Sequence, residues 1–222
     1  MTPADISIDG LWRNNPALVQ LLGLCPLLAV SNTVINGLVL GCLTVFVLVS
    51  ANGVISLIQR WLDDATRLPA QILIIASFVT LADLLLQSVS FELHQRIGLF
   101  VALIVTNCAI LGRAEAFARK HNFAYALLDG LFMGLGFLLV IVVLSILREA
   151  LGQGTIFAGA DLIFGPAARQ WTINLPTDGM LLAVLPPGAF LLFGLMIALK
   201  NWIELQRHEQ RQTLRNTEAT ER

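Results

Sequence analysis

Charge is what this sequence has little of. Only 13% of its 222 residues are charged, whereas 56% are hydrophobic, and the mean hydropathy is +0.77. A typical soluble domain carries about 25% charged residues, so this chain has too little polar surface to coat a soluble globule. The charges are also balanced, with 14 Lys and Arg against 15 Asp and Glu, which leaves no basic face for nucleic acid. We therefore expect one integral membrane domain over residues 1–222.

Signatures of a self-contained active site are missing as well. The sequence has no glycine-rich phosphate loop, no zinc-binding helix motif and no nucleophile elbow. Its histidines, His94, His121 and His208, lack the spacing of metal ligands, so we expect them at solvated surface positions. The three cysteines are an odd number and lie in apolar runs, which excludes a secreted disulfide framework. No catalytic residue is assigned in this chain.

Long apolar segments are abundant. A membrane-spanning helix needs about 20 mainly apolar residues, and six segments meet that need, at about 16–34, 37–58, 69–90, 96–112, 126–147 and 181–203. Of the Lys and Arg residues, 11 lie on the side of the N-terminus and 3 on the other side. Because positive charge concentrates in cytoplasmic segments, both termini are predicted to be cytoplasmic. A long outside loop then covers about 149–180, and a cytoplasmic tail covers 204–222.

Self-comparison indicates two related halves. The residues around Cys25 align with those around Cys108, and a second match pairs Asn36-Gly37 with Asp129-Gly130. Each half holds three spans, at about 11–90 and about 95–203, so the second half enters the membrane inverted. In such folds the functional centre lies near the midplane, at short or broken segments. We predict an all-α membrane protein of about six transmembrane helices in two inverted three-helix repeats, with broken half-helices at the first and fourth spans.

The two cysteines that recur in the halves are candidate metal ligands. Soft thiolates bind iron–sulfur clusters, zinc or Cu(I), and a thiolate without a metal is a costly charge in hydrocarbon. Cys25 and Cys108 do not complete a four-cysteine iron–sulfur site, so a partner chain or a second copy would have to supply the rest. Cys42 has no counterpart in the other half and is expected to be a small hydrophobic residue.

Two stretches carry a resemblance to a known family. They are 11–30, LWRNNPALVQLLGLCPLLAV, and 104–118, IVTNCAILGRAEAFA, and the segment LPPGAF at 185–190 agrees as well. Through them the chain resembles the E-subunit family of the Rnf/Rsx ion-translocating electron transport complex. The second stretch is also similar to one of the membrane subunits of the sodium-pumping NADH:quinone reductase. The resemblance covers nearly the whole chain.

This resemblance implies a redox cofactor and partners. It implies a [2Fe–2S] cluster at mid-membrane, shared with the homologous A subunit, to which this chain contributes Cys25 and Cys108. Gly23 and Gly112 would let backbone amides approach the centre, and Asn107 is expected beside it. The complex would also contain the B, C, D and G subunits in the bacterial inner membrane. It would act as an oxidoreductase and translocase that relays electrons across the membrane, coupled to ion translocation, with no complete active site in this chain.

Three charged residues and two alternative functions remain. Asp83 lies inside the third span, and an intramembrane carboxylate is a candidate for an ion pathway. Arg148 and Glu149 end the fifth span, where we expect them to anchor the helix at the membrane interface. An inverted-repeat secondary transporter is one alternative, but it should show paired ionisable groups at the breaks. A structural anchor for soluble redox subunits is the other, and it would not need recurring thiols.

Overall fold

Helices make up almost all of the regular structure. The computed structural model describes residues 9–63, 66–118, 122–156, 173–174 and 179–220. These residues contain α1 Leu24–Val30, α2 Val34–Ile58, α3 Arg67–Val89, α4 Phe91–Val101, α5 Cys108–Arg113, α6 Phe123–Gly152, α7 Leu181–Val184 and α8 Pro186–Thr220. A two-residue antiparallel pair, β1 Thr155–Ile156 with β2 Ile173–Asn174, follows α6. The expected helical class is confirmed, and most of the expected outside loop lies outside the described residues.

Five helical segments among the described residues are long and apolar enough to cross a membrane: Val34–Ile58, Arg67–Val89, Phe91–Ala118, Phe123–Gly152 and Pro186–Arg207. They overlap the second to sixth expected spans. The first expected span does not form a long helix, because turns and irregular backbone occupy 14–23 and only the short α1 follows. Pro16 cannot donate a backbone hydrogen bond and Gly23 favours non-helical backbone, so this segment is interrupted.

Helices α2 and α6 form the most extensive contact between helices, and glycines allow their close approach. A side chain at Gly41 of α2 would overlap Leu138 of α6. In the same way, a Cβ at Gly134 of α6 would lie 3.1 Å from the Cα of Val45 on α2. Small residues that let two backbones approach are typical of helix pairs in membranes.

The glycine contacts are matched between the two helices. Gly134 follows Gly41 in the sequence by the same number of residues as Leu138 follows Val45. The contact of Gly41 with Leu138 therefore has the contact of Gly134 with Val45 as its counterpart. A second set has the same spacing: Gly37 lies against Ser145, and Gly130 lies against Asn52. Each helix therefore offers a pair of glycines to the larger side chains at equivalent positions of the other.

The remaining helices surround this pair and leave apolar side chains uncovered. α3 packs against α2 and α4, while Leu73 on α3 and Leu99 on α4 are 69% and 88% exposed. Ser90 begins α4 by accepting a hydrogen bond from the N–H of Leu93 at 3.4 Å. Helix α3 and the helical segment that begins with α4 are both apolar enough to cross a membrane. Exposed leucines on such helices form a surface suited to contact with lipid or with other membrane proteins.

Candidate functional site

The backbone leaves helical geometry just before Cys25. Leu21 has a φ of 55° and Gly23 a φ of 75°, both in the left-handed region. Gly23 is the residue that precedes the first turn of α1, and Cys25 is the second residue of that helix. Because a residue with a Cβ is strained in this conformation, glycine at position 23 allows the sharp entry into α1.

A second break lies just before Cys108. A 3₁₀ turn at Ala102–Ile104 ends the helical run that begins with α4, and α5 starts at Cys108. Asn107 caps this start, because its side-chain Oδ1 accepts a hydrogen bond from the N–H of Ala109 at 3.0 Å. Asparagine is among the preferred residues at this position. Each of the two cysteines therefore lies in the first turn of a short helix that follows a break.

The tertiary structure brings the two breaks together. A Cβ on Gly23 would lie 2.8 Å from Oδ1 of Asn107 and 3.4 Å from Cβ of Ala109. Asn107 is 1% exposed, so it lies enclosed between the starts of the two helices. The fold therefore places Gly23, Asn107 and the starts of the two cysteine-bearing helices next to one another.

Gly112 occupies an ordinary position. It lies within α5, with a φ outside the left-handed region, and a Cβ there would meet only the Cδ1 of Leu22 at 3.5 Å. That distance is normal van der Waals contact. Unlike Gly23, this position has no steric or conformational requirement for glycine.

The thiols of all three cysteines are free and exposed at the surface of this chain. Within the described residues, no group of three or more His, Cys, Asp or Glu side chains could enclose a metal ion. Cys25 and Cys108 lie in the first turns of α1 and α5, whose starts meet at the contact between Gly23 and Asn107. Cys42 lies on α2, apart from both breaks.

Cys25 also borders a groove of about 400 Å³. Its walls are largely apolar and come from α1, α7 and the first residues of α8, with Leu28 and Phe190 among the lining residues. Two polar residues, Asn32 and Arg148, complete the lining. The groove thus joins one candidate metal ligand and one cationic side chain.

Arg148 and Glu149 are buried, with relative exposures of 2% and 0%. The expectation of interfacial anchors at these positions was wrong. Chain segments distant in sequence cover them, because the end of α6 packs against the α1–α2 turn and against α7. The position of an Arg-Glu pair at the end of a long apolar helix was visible in the sequence, but these neighbours were not.

A second buried charged group links α5 to α6. Arg113, the last residue of α5, donates hydrogen bonds to the carboxylate of Asp129 on α6 through both Nε and Nη2. The Arg113 guanidinium also lies 5.2 Å from the centre of the Phe117 ring. Asp129 is 2% exposed. This two-point contact holds the far end of the half-helix that carries Cys108.

Asp83 lies within α3 and approaches His94 on α4. Their Oδ1 and Nδ1 atoms are 3.1 Å apart but lack the alignment of a hydrogen bond. The side chains are 36% and 23% exposed, respectively. His94 is therefore partly exposed, and the fold also places it beside the carboxylate of Asp83. Two titratable groups therefore meet at the α3–α4 contact.

Comparisons with known proteins identify a family and relatives that this chain resembles. A family model described as "Rnf-Nqr subunit, membrane protein" matches residues 4–197. The chain is 55% identical to the E subunit of the ion-translocating oxidoreductase complex of Pseudomonas paraeruginosa, over 90% of this chain and 84% of that protein. It is 52% identical to the protein of the same name from Thioalkalivibrio sulfidiphilus, over 97% of this chain and 96% of that protein.

Proposed function

The chain belongs to the Rnf-Nqr family of membrane subunits, and from that premise we propose that it is the E-type subunit of an ion-translocating oxidoreductase complex. In that complex it relays electrons across the membrane through an iron–sulfur centre. The observation that carries this proposal is the contact of Gly23 with Asn107, which unites the starts of two helices whose first turns bear Cys25 and Cys108.

Cys25 and Cys108 would supply two thiolate ligands. Both thiols are exposed on this chain, so a second protein can reach them and add the two ligands that complete a four-cysteine site. The homologous A subunit is the proposed source of those ligands, and a [2Fe–2S] cluster is the proposed cofactor. When bound, such a centre accepts and returns one electron at a time.

The protein's contribution is to place the ligands and to exclude water. The left-handed backbone at Gly23 directs the chain into α1 without a side chain between the two breaks. The Asn107 side chain fixes the first turn of α5 through its bond to Ala109. The apolar helices around these breaks keep the site in a low-dielectric environment, which affects the energy of any added charge.

We also propose that the chain forms six membrane segments in two inverted repeats. The matched glycine contacts of α2 and α6 support this arrangement, because a two-fold relation between the helices makes each contact occur twice. The breaks before Cys25 and Cys108 occur at equivalent points of the two halves. The proposed location is the bacterial inner membrane, with both termini cytoplasmic and with the B, C, D and G subunits as further partners.

Iron analysis of the assembled complex tests the proposed centre. Cys25→Ala and Cys108→Ala should each remove the iron of this centre and stop electron flow across the membrane. Cys42→Ala is the matched control, and it should retain both. Equal loss of iron in all three variants, or no loss in the Cys25 and Cys108 variants, would contradict the assignment.

An ion-conducting role without a redox centre is the alternative, and the Asp83–His94 contact favours it. Paired ionisable groups inside membrane helices mark ion pathways in many transporters. Ion movement at this contact can also operate beside electron relay, because Asp83 and His94 lie on α3 and α4, whereas the cysteines lie on α1 and α5. We therefore assign Asp83 a candidate role in ion movement, separate from the electron carrier.

A further inference from the structure

Arg148 connects the half-helix of Cys25 to the rest of the protein. We propose that Arg148 is a positioning residue for the metal site: it fixes the end of α1 and places a positive charge in the groove that Cys25 borders. The part of this inference that concerns the metal rests on the proposed function, whereas the part that concerns α1 does not.

Two of these bonds reach the C-terminal part of α1. Nη1 of Arg148 donates to the carbonyl oxygen of Leu28 at 3.0 Å and to Oγ of Ser31 at 2.8 Å. The last carbonyls of a helix have no partner within the helix, and a cation near them is favourable. With seven residues, α1 is too short to be stable alone. Its position therefore depends on contacts such as these.

The other bonds attach the same guanidinium to α7. Nε donates to the carbonyl oxygen of Ala183 at 3.2 Å, and Nη2 donates to that of Val184 at 2.7 Å. Next to Arg148, Glu149 accepts a hydrogen bond from the N–H of Val34 at 2.6 Å. Two adjacent residues of α6 thus hold both sides of the α1–α2 turn. Since Cys25 lies one helical turn before Leu28, movement of this end of α1 would move the thiol.

The charge of Arg148 has a separate effect. All four of its partner atoms are neutral oxygens, and it takes part in none of the ion pairs found between described residues. Burial of a cation in a membrane helix is costly and usually serves a function. Because Arg148 and Cys25 border one groove, the cation stabilises negative charge gained on that side of the site. It should therefore raise the reduction potential of the metal centre.

Two substitutions separate the effects in the assembled complex. Arg148→Gln removes the charge and most of the bonds, whereas Arg148→Lys keeps the charge but cannot make the same four bonds. Arg96→Gln changes an exposed arginine and serves as the control. Hydrogen exchange of the peptide that contains α1 measures its attachment and is performed on iron-depleted complex. The iron content and the midpoint potential are measured on the loaded complex.

We expect both Arg148 variants to accelerate exchange in α1 about tenfold or more, with no change in Arg96→Gln. In Arg148→Gln the midpoint potential should fall by about 59 mV, which is a tenfold change in the equilibrium constant of a one-electron reduction. In Arg148→Lys it should stay near the wild-type value. If an Arg148 variant does not assemble, Ser31→Ala removes one of the four bonds and should give a smaller acceleration in α1.

Unchanged exchange in α1 in every variant would overturn the positioning role. An equal potential in wild type and Arg148→Gln, with α1 exchange accelerated, would overturn the electrostatic role alone. Wild-type complex without iron at this site would contradict the proposed function instead, while the exchange result would still decide how α1 is held.

Discussion

Gly23 lies directly against Asn107, with the position of its missing Cβ only 2.8 Å from the asparagine Oδ1. These residues are far apart in the sequence, and each precedes a short helix with a cysteine in its first turn. The contact therefore places the two backbone breaks next to each other. It also makes position 23 sensitive to the smallest added side chain.

Gly23→Ala should therefore destabilise the protein. The substitution combines left-handed backbone, which costs a non-glycine residue about 1–2 kcal/mol, with overlap at Asn107. We expect a lower melting temperature and a loss of iron from the assembled complex. Gly112→Ala is the control, and it should be nearly neutral because its Cβ would meet only Leu22 at 3.5 Å. Equal stability of the two variants would argue against the close contact at Gly23.

The α2–α6 contact should be similarly sensitive. Gly134→Val places a branched side chain against the backbone of Val45, which lies 3.1 Å from a Cβ at position 134. Overpacking of this kind costs about 1–3 kcal/mol. Gly194→Val on α8 is the control, since nothing lies within 4 Å of its Cβ position. Thermal unfolding in detergent should separate the two variants, and similar melting temperatures would contradict the tight helix pair.

The ion pair between Arg113 and Asp129 should be essential for assembly. Asp129→Asn leaves a guanidinium with 11% side-chain exposure without its carboxylate, and the loss of one partner of a buried pair costs about 3–5 kcal/mol. The double exchange Arg113→Asp with Asp129→Arg should recover part of the loss, measured as the yield of this protein in the membrane. An additive loss in the double variant would mean that the pair does not act as a unit.

Asp83→Asn should lower ion translocation per electron and leave the iron content unchanged. The reason is that Asp83 places an ionisable side chain against His94 within a membrane helix that carries neither cysteine. Ion uptake and electron transfer should be measured together in proteoliposomes. Glu92→Gln, at an exposed position of α4, is the control. Normal ion uptake in Asp83→Asn would remove Asp83 from the pathway.

Reporter fusions test the orientation of the chain. The distribution of Lys and Arg predicts that the end of α8 lies in the cytoplasm and the loop after α6 lies outside. Reporters after Arg215 and at Phe157, a residue outside the described part of the chain, should therefore lie on opposite sides of the membrane. Reporters on the same side would contradict an arrangement of six membrane segments.

Local chemistry made much of this protein predictable from sequence. Apolar length indicated the membrane helices, because about 20 apolar residues suffice to span a bilayer. Pro16 and Gly23 explain why the first segment is interrupted, because both act on the backbone where they occur. The recurring cysteines marked the two short helices as a pair. Even so, composition overestimated the helical length of the first segment, because the only α-helix between its turns and the start of α2 is the seven-residue α1.

Contacts between distant segments were decided by the tertiary structure alone. Arg148 and His94 occur at helix ends in the sequence, which suits an exposed residue as well as a buried one. The burial of Arg148 and the contact of His94 with Asp83 depend on α1, α7 and α3, which only the packed fold brings near them. Likewise, Gly23 indicates a break by itself, whereas its contact with Asn107 requires the two halves to pack together. Hydropathy and backbone preference belong to single segments, but the environment of a charge or a thiol belongs to the whole fold.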